Sequence, residues 1–143
     1  MLIQRVNRSD AERVFIAVKN SYSTAAITVG QAVCFDYTTD ADGVGVTQPT
    51  TALLTMPAGI VEDASIAAGE YGLVQIYGHN ANALVNGSSG TDVGDPLIMQ
   101  NGAFDIILAT EVTNGDAVSY FFVAGEAYST GAAAAKKVFI RCM

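Results

Sequence analysis

Residues 96–109 read PLIMQNGAFDIILA, two apolar runs on either side of Asn101-Gly102. Asn-Gly is the dipeptide of a two-residue type I′ hairpin, whose two central residues both need positive φ. With that pair as the loop, Gln100 faces Ala103, Met99 faces Phe104, Ile98 faces Asp105 and Leu97 faces Ile106. Leu97, Met99, Phe104 and Ile106 then share one side and should enter the core. Pro96 suits the first position of a strand, where its missing N–H costs least.

The same grammar extends in both directions. Apolar, β-branched and aromatic runs predict strands near 13–19 (RVFIAVK), 32–38 (AVCFDYT), 51–56 (TALLTM), 58–62 (AGIVE) and 71–77 (YGLVQIY). Further strands are predicted at 96–100, 103–109, 118–124 (VSYFFVA) and 137–142 (KVFIRC). Fourteen glycines punctuate these short runs, which favours a sandwich or barrel over helices. Short helical turns fit at Asp10–Glu12 or within Ala132–Ala135. The expected fold is all-β: a single small β-barrel or β-sandwich of about eight or nine short, mostly antiparallel strands. It spans residues 9–143 and follows an extended N-terminal arm, residues 1–8. Two echoes mark the pattern: VGQAV at 29–33 against VGDPL at 93–97, and RVFI at 13–16 against KVFI at 137–140.

With half its residues apolar and 15% charged, the 143-residue chain is built to bury a core and is not a disordered chain. The opening Met-Leu-Ile-Gln-Arg lacks a basic-then-apolar leader, and no apolar run approaches membrane-spanning length, so synthesis is expected in the cytoplasm. Cys34 and Cys142 form no CxxC pair; they read as free buried thiols, with a bridge between them left open.

Charge is segregated along the chain. Residues 1–19 carry a net +2, residues 20–135 hold twelve acids and no Lys or Arg, and the tail carries +3. An acidic middle disfavours a phosphate-backbone partner, and it should face outward. Period-2 alternation puts Arg13, Phe15 and Lys19 on one side of the first strand, and Lys137, Phe139 and Arg141 on one side of the last. If those strands lie side by side, they form a basic face with two phenylalanines. That face either covers acidic neighbours within its own subunit or docks an acidic surface such as another copy of the chain. Leu2, Ile3, Arg5 and Val6, in the arm, complete the candidate contact residues.

Chemistry finds little purchase. His79 has no nucleophile elbow to serve and reads as a loop or cap residue. Asp36, Asp40 and Asp42 before Gly43 resemble part of a calcium loop, but Thr38 and Pro49 stand where an EF-hand needs acids. Glu62-Asp63 and Glu70 read as the polar rim of a turn, and Gly43-Val-Gly45 lacks the rest of a dinucleotide loop. No enzyme, cofactor or metal is expected.

Residues 58–78, AGIVEDASIAAGEYGLVQIYG, resemble a segment of bacteriophage head decoration proteins, which stabilise (cement) capsids. Residues 29–36, VGQAVCFD, and 93–97, VGDPL, fit the same layout, so the resemblance covers about half of the chain. It implies a virion protein in many copies on the outer capsid surface, with the major capsid protein as partner. It also implies self-association, most often as a homotrimer, with no nucleic acid or membrane involved. Two other readings stand beside it. One is a tail, fibre or head-completion subunit. The other is a ligand-binding β-module for a glycan or calcium, with Tyr22, Tyr37, Tyr71, Tyr77, Tyr120 and Tyr128 available for stacking.

Overall fold

The computed structural model describes residues 11–39, 42–109 and 121–143. Their regular structure is eleven strands with no α-helix. In chain order these are β1 (Arg13–Asn20), β2 (Ile27–Thr28), β3 (Ala32–Phe35), β4 (Gly45–Thr47), β5 (Pro57–Val61), β6 (Ser65–Ile66), β7 (Tyr71–Val85), β8 (Pro96–Met99), β9 (Ile106–Leu108), β10 (Phe122–Ala124) and β11 (Ala134–Arg141). Nine of them form one sheet in the order β1-β4-β3-β5-β7-β11-β10-β8-β9, while β2 and β6 pair separately. Pairing is antiparallel except for β1 with β4 and β7 with β9.

The all-β expectation holds, but the sheet is not one closed barrel. Two additional pairings, β1–β7 and β7–β9, fold it back on itself. The fifteen-residue β7 is therefore shared by two lobes, each with its own core. The first core takes Val18 from β1, Val33 from β3, Val46 from β4, Ala58 and Val61 from β5 and Val74 from β7. Ile27 and Ile66, paired across β2 and β6, close it. The second core takes Ala83 and Val85 from β7, Val138 and Ile140 from β11, Phe122 from β10, Leu97 and Met99 from β8 and Ile106 from β9. Ala32, Cys34 and Ile60 join that second core, so β3 and β5 form the wall between the two. This explains why β5 is buried at all five positions and shows no alternation.

Several sequence expectations change. Residues 51–56 are turns: Leu53 N–H donates to Thr50 O at 2.8 Å and Met56 N–H to Leu53 O at 2.9 Å. These turns, between Pro49 and Pro57, tuck Leu53 into the second core. The hairpin at Asn101-Gly102 slips by two residues, pairing Leu97 with Leu108 and Met99 with Ile106. Gly102 has φ +72 while Asn101 keeps a negative φ, so the I′ requirement is not met. Tertiary contacts decide this. Phe104 leaves the hairpin to meet Tyr22 edge-on at 5.2 Å, and its carbonyl accepts from Ala32 N–H at 2.7 Å. Because the slip is even, Leu97, Met99 and Ile106 remain buried as expected. Ala134 and Ala135 belong to β11 rather than to a helical turn, and β2, β4 and β6 were not anticipated. Residues 1–8 and Asp10, hence the arm, lie outside the described residues, as do residues 118–120 of the strand expected at 118–124.

Candidate functional site

The basic and aromatic side chains of the two terminal strands are placed by β7. β1 runs antiparallel along one edge of β7, from Arg13 opposite Gly78 to Lys19 opposite Tyr71. β11 runs antiparallel along the other edge, from Ala134 opposite Val85 to Arg141 opposite Tyr77. The terminal strands are thus separated by one strand, and the single face expected from their alternation does not form.

The reason is a bulge. Val14 and Arg141 both lie opposite Tyr77, so both point to its side of the strand. Ile76 is then left over, and the next pair is Phe15 with Gln75. Phe15 alternates away from Val14, whereas Phe139 keeps to the side of Arg141. The two phenylalanines consequently leave β7 on opposite sides. The cores demand this: β1 buries Ile16 and Val18 in the first lobe, and β11 buries Val138 and Ile140 in the second.

Gly78 makes the crossover possible. Its φ is +98, and a Cβ there would strike the Glu12 carbonyl oxygen and lie 3.2 Å from Arg13 Cα. A buried amide pair serves the irregular backbone around it. Gln75 Nε2 donates to the carbonyls of Tyr77 at 3.0 Å and His79 at 3.1 Å, while Gln75 Oε1 accepts from Asn80 Nδ2 at 2.9 Å. Both side chains are buried, so these bonds satisfy groups that water cannot reach.

Two outward surfaces result. The first lobe presents Phe15, Ala17 and Lys19 beside Leu73 (44% exposed) and Tyr71 (67% exposed). Arg13 lies over the Phe15 ring at 5.3 Å and pairs with Glu62 at 3.0 Å. With Ala11, His79, Asn80, Ala81 and Asn82 that ion pair lines an open depression of about 400 Å³. The second lobe presents Phe139 (38% exposed), Lys137 and Arg141. Phe139 lies opposite His79 on β7 and Val123 on β10, and its ring meets Tyr77 edge-on at 5.3 Å. Leu73 was absent from the sequence-derived candidates, Tyr71 and Tyr77 were read there only as stacking residues for a ligand, and His79 as a loop or cap residue. The expected strand stopped at Tyr77, because Gly78-His79-Asn80 reads as a turn; His79 is in fact a strand residue. Leu2, Ile3, Arg5 and Val6 lie outside the described residues.

Among the described residues every Lys and Arg is on β1 or β11. Of the described acids, Glu12, Asp42, Glu70 and Asp92 are exposed and Asp36 is buried, the rest lying between. Asp36 Oδ1 accepts from Thr38 Oγ1 at 2.7 Å and Thr39 N–H at 3.2 Å, committing it to its own turn. Asp40 lies outside the described residues, and among those described no group of three or more His, Cys, Asp and Glu could hold a metal ion.

Cys34 and Cys142 are free thiols, and burial pushes each up to about 12. They are therefore protonated and poorly nucleophilic at neutral pH. A second open groove, about 450 Å³, runs between residues 89–92 and 127–130. One of its walls is Tyr128, whose ring carries Lys136 Nζ at 4.4 Å.

No protein-family model matches the chain, and no curated protein matches it. Among solved structures, the N base of the head fibre gp8.5 of bacteriophage phi29 is similar, with a TM-score of 0.53 and 16% identity. The match covers 92% of this chain and 96% of that one. At this identity the likeness establishes a shared fold, and it runs through both lobes.

Proposed function

We propose that this chain is a structural protein of a phage virion, carried on the head, where it decorates and stabilises the outer face of the coat lattice. The observation that carries the reading is the end-to-end likeness to a head-fibre base. The resemblance of residues 58–78 to head decoration proteins points to the same location. In this reading the chain catalyses nothing, and its partners are the major capsid protein and neighbouring copies of itself.

The architecture suits the task. Two cores fused along β7 make a stiff platform, so little ordering entropy is lost when its surfaces dock. Each contact need supply only a few kcal/mol when a lattice repeats it many times. Residues 1–8, with Leu2, Ile3 and Val6, act in this reading as an arm ordering against the coat. Deleting them should leave the thermal melt unchanged and lower occupancy on particles; full occupancy would remove the arm from the account.

The head-fibre base in that comparison favours a second reading, in which the chain anchors a fibre. Copy number separates the two. Quantitative mass spectrometry of purified virions should give a simple ratio to the major coat protein for a decoration protein. A small fixed number of copies per particle would select the fibre base, and absence from virions would overturn both.

A further inference from the structure

The second lobe carries a surface and, two strands away, its chemical complement. The surface is Phe139 packed on Tyr77, flanked by Lys137 and Arg141. Arg13 is engaged by Glu62, and Lys136 lies over Tyr128. Lys137 and Arg141, by contrast, have no ion-pair partner among the described residues. The complement is the turn that leads into β8. Val93, 70% exposed, stands between Asp92, which is exposed, and Asp95. The turn is held from within, as Asp92 N–H donates to Asp95 Oδ2 at 2.8 Å and Gly94 N–H to Ala124 O at 2.8 Å. It is a preformed apolar knob between two carboxylates.

Register places both features on one lobe: Phe139 lies opposite Val123, and Val123 opposite Pro96, the residue that follows Asp95. A turn this close to its complement along the same sheet cannot fold onto it within one chain. A second copy can reach it, and reciprocally, because each copy offers both halves of the contact.

We infer that two copies of this chain associate through a reciprocal contact. Val93 of each seats against the Tyr77–Phe139 pair of the other, and Asp92 and Asp95 meet Lys137 and Arg141. The occupant is set by charge complementarity, with an aromatic pair at the centre and charges at the rim. This contact depends on the geometry of the second lobe and stands or falls independently of the virion reading.

Charge reversal tests it. Sedimentation equilibrium of the full chain should show reversible self-association that weakens as salt rises. The double variants K137E/R141E and D92K/D95K should each raise the dissociation constant by about tenfold or more, since each places like charges opposite one another. Mixed in equal amounts, the two variants should associate again, because both contacts of the mixed pair then join opposite charges. Val93→Ser, an exposed site whose change leaves the fold intact, should also weaken association. A wild-type chain that stays monomeric at all concentrations, variants that associate like wild type, or a mixture that does not recover would each overturn the inference.

Discussion

The two lobes differ in what their cores are made of and in what they show to solvent. The first is filled with small and β-branched side chains from β1, β3, β4, β5 and the front half of β7. It shows an apolar outer surface at Phe15, Leu73 and Tyr71. The second is built on larger groups, Phe122, Leu97 and Met99, and shows the basic aromatic surface of β11. One strand serves both by changing the side it buries at a bulge, so a single residue count, the extra Ile76, decides which lobe each terminal phenylalanine belongs to. The lesson is that surface chemistry here is a consequence of register, more than of residue choice.

If β7 makes the lobes one cooperative unit, damage to either should lower a single unfolding transition. Phe122→Ala, at a fully buried site in the second lobe, should cost about 4 kcal/mol. Amide exchange should then accelerate in β3 and β4 of the first lobe as well as locally. Exchange confined to the second lobe would show that the two fold separately. Gly78→Ala, at the crossover, should cost about 3 kcal/mol through its φ and the contact with Glu12. Chemical denaturation should show both lobes weakened together; a loss below about 0.5 kcal/mol would mean the backbone there is not constrained.

Gln75→Leu strips the Tyr77 and His79 carbonyls of their side-chain donor and leaves Asn80 Nδ2 only its 3.5 Å bond to Glu62 Oε2, at about 2 kcal/mol. A neutral result would assign the crossover to Gly78 alone.

How far the lobes could be read in advance follows from these same residues. Alternation in RVFIAVK and KVFIRC correctly gave which side chains point out, since each strand has one buried side. It could not give their relation across the molecule, which depends on a strand lying between them and on a bulge in that strand. Gly78-His79-Asn80 has the composition of a turn and the role of a strand interior, because Gln75 and Asn80 supply bonds that a regular ladder would have made. The hairpin was located correctly, but its register was set by Phe104 packing on Tyr22 from the other lobe. Local turn chemistry carries no trace of such a contact.

Asp105, beside Phe104, has a carboxyl oxygen Oδ1 that is buried without a partner, and its pKa is raised above 3.8, chiefly by burial. A raised folded-state value means the native chain holds the proton more tightly than the unfolded one. This group's effect on stability is therefore most favourable below the ordinary carboxylate range and is lost as pH rises through the folded value. Asp105→Asn should stabilise the protein by about 1 kcal/mol at pH 7 and flatten that acid-side dependence. Equal stability curves for both proteins would place the carboxylate in contact with solvent.

Residence on the outside of a phage head can be seen by cryo-electron microscopy. Particles made with and without this chain would be reconstructed under identical conditions. Difference density is expected on the outer head surface, with a shape into which the two-lobed fold fits. Identical heads, with the chain located elsewhere or missing from the particle, would contradict it.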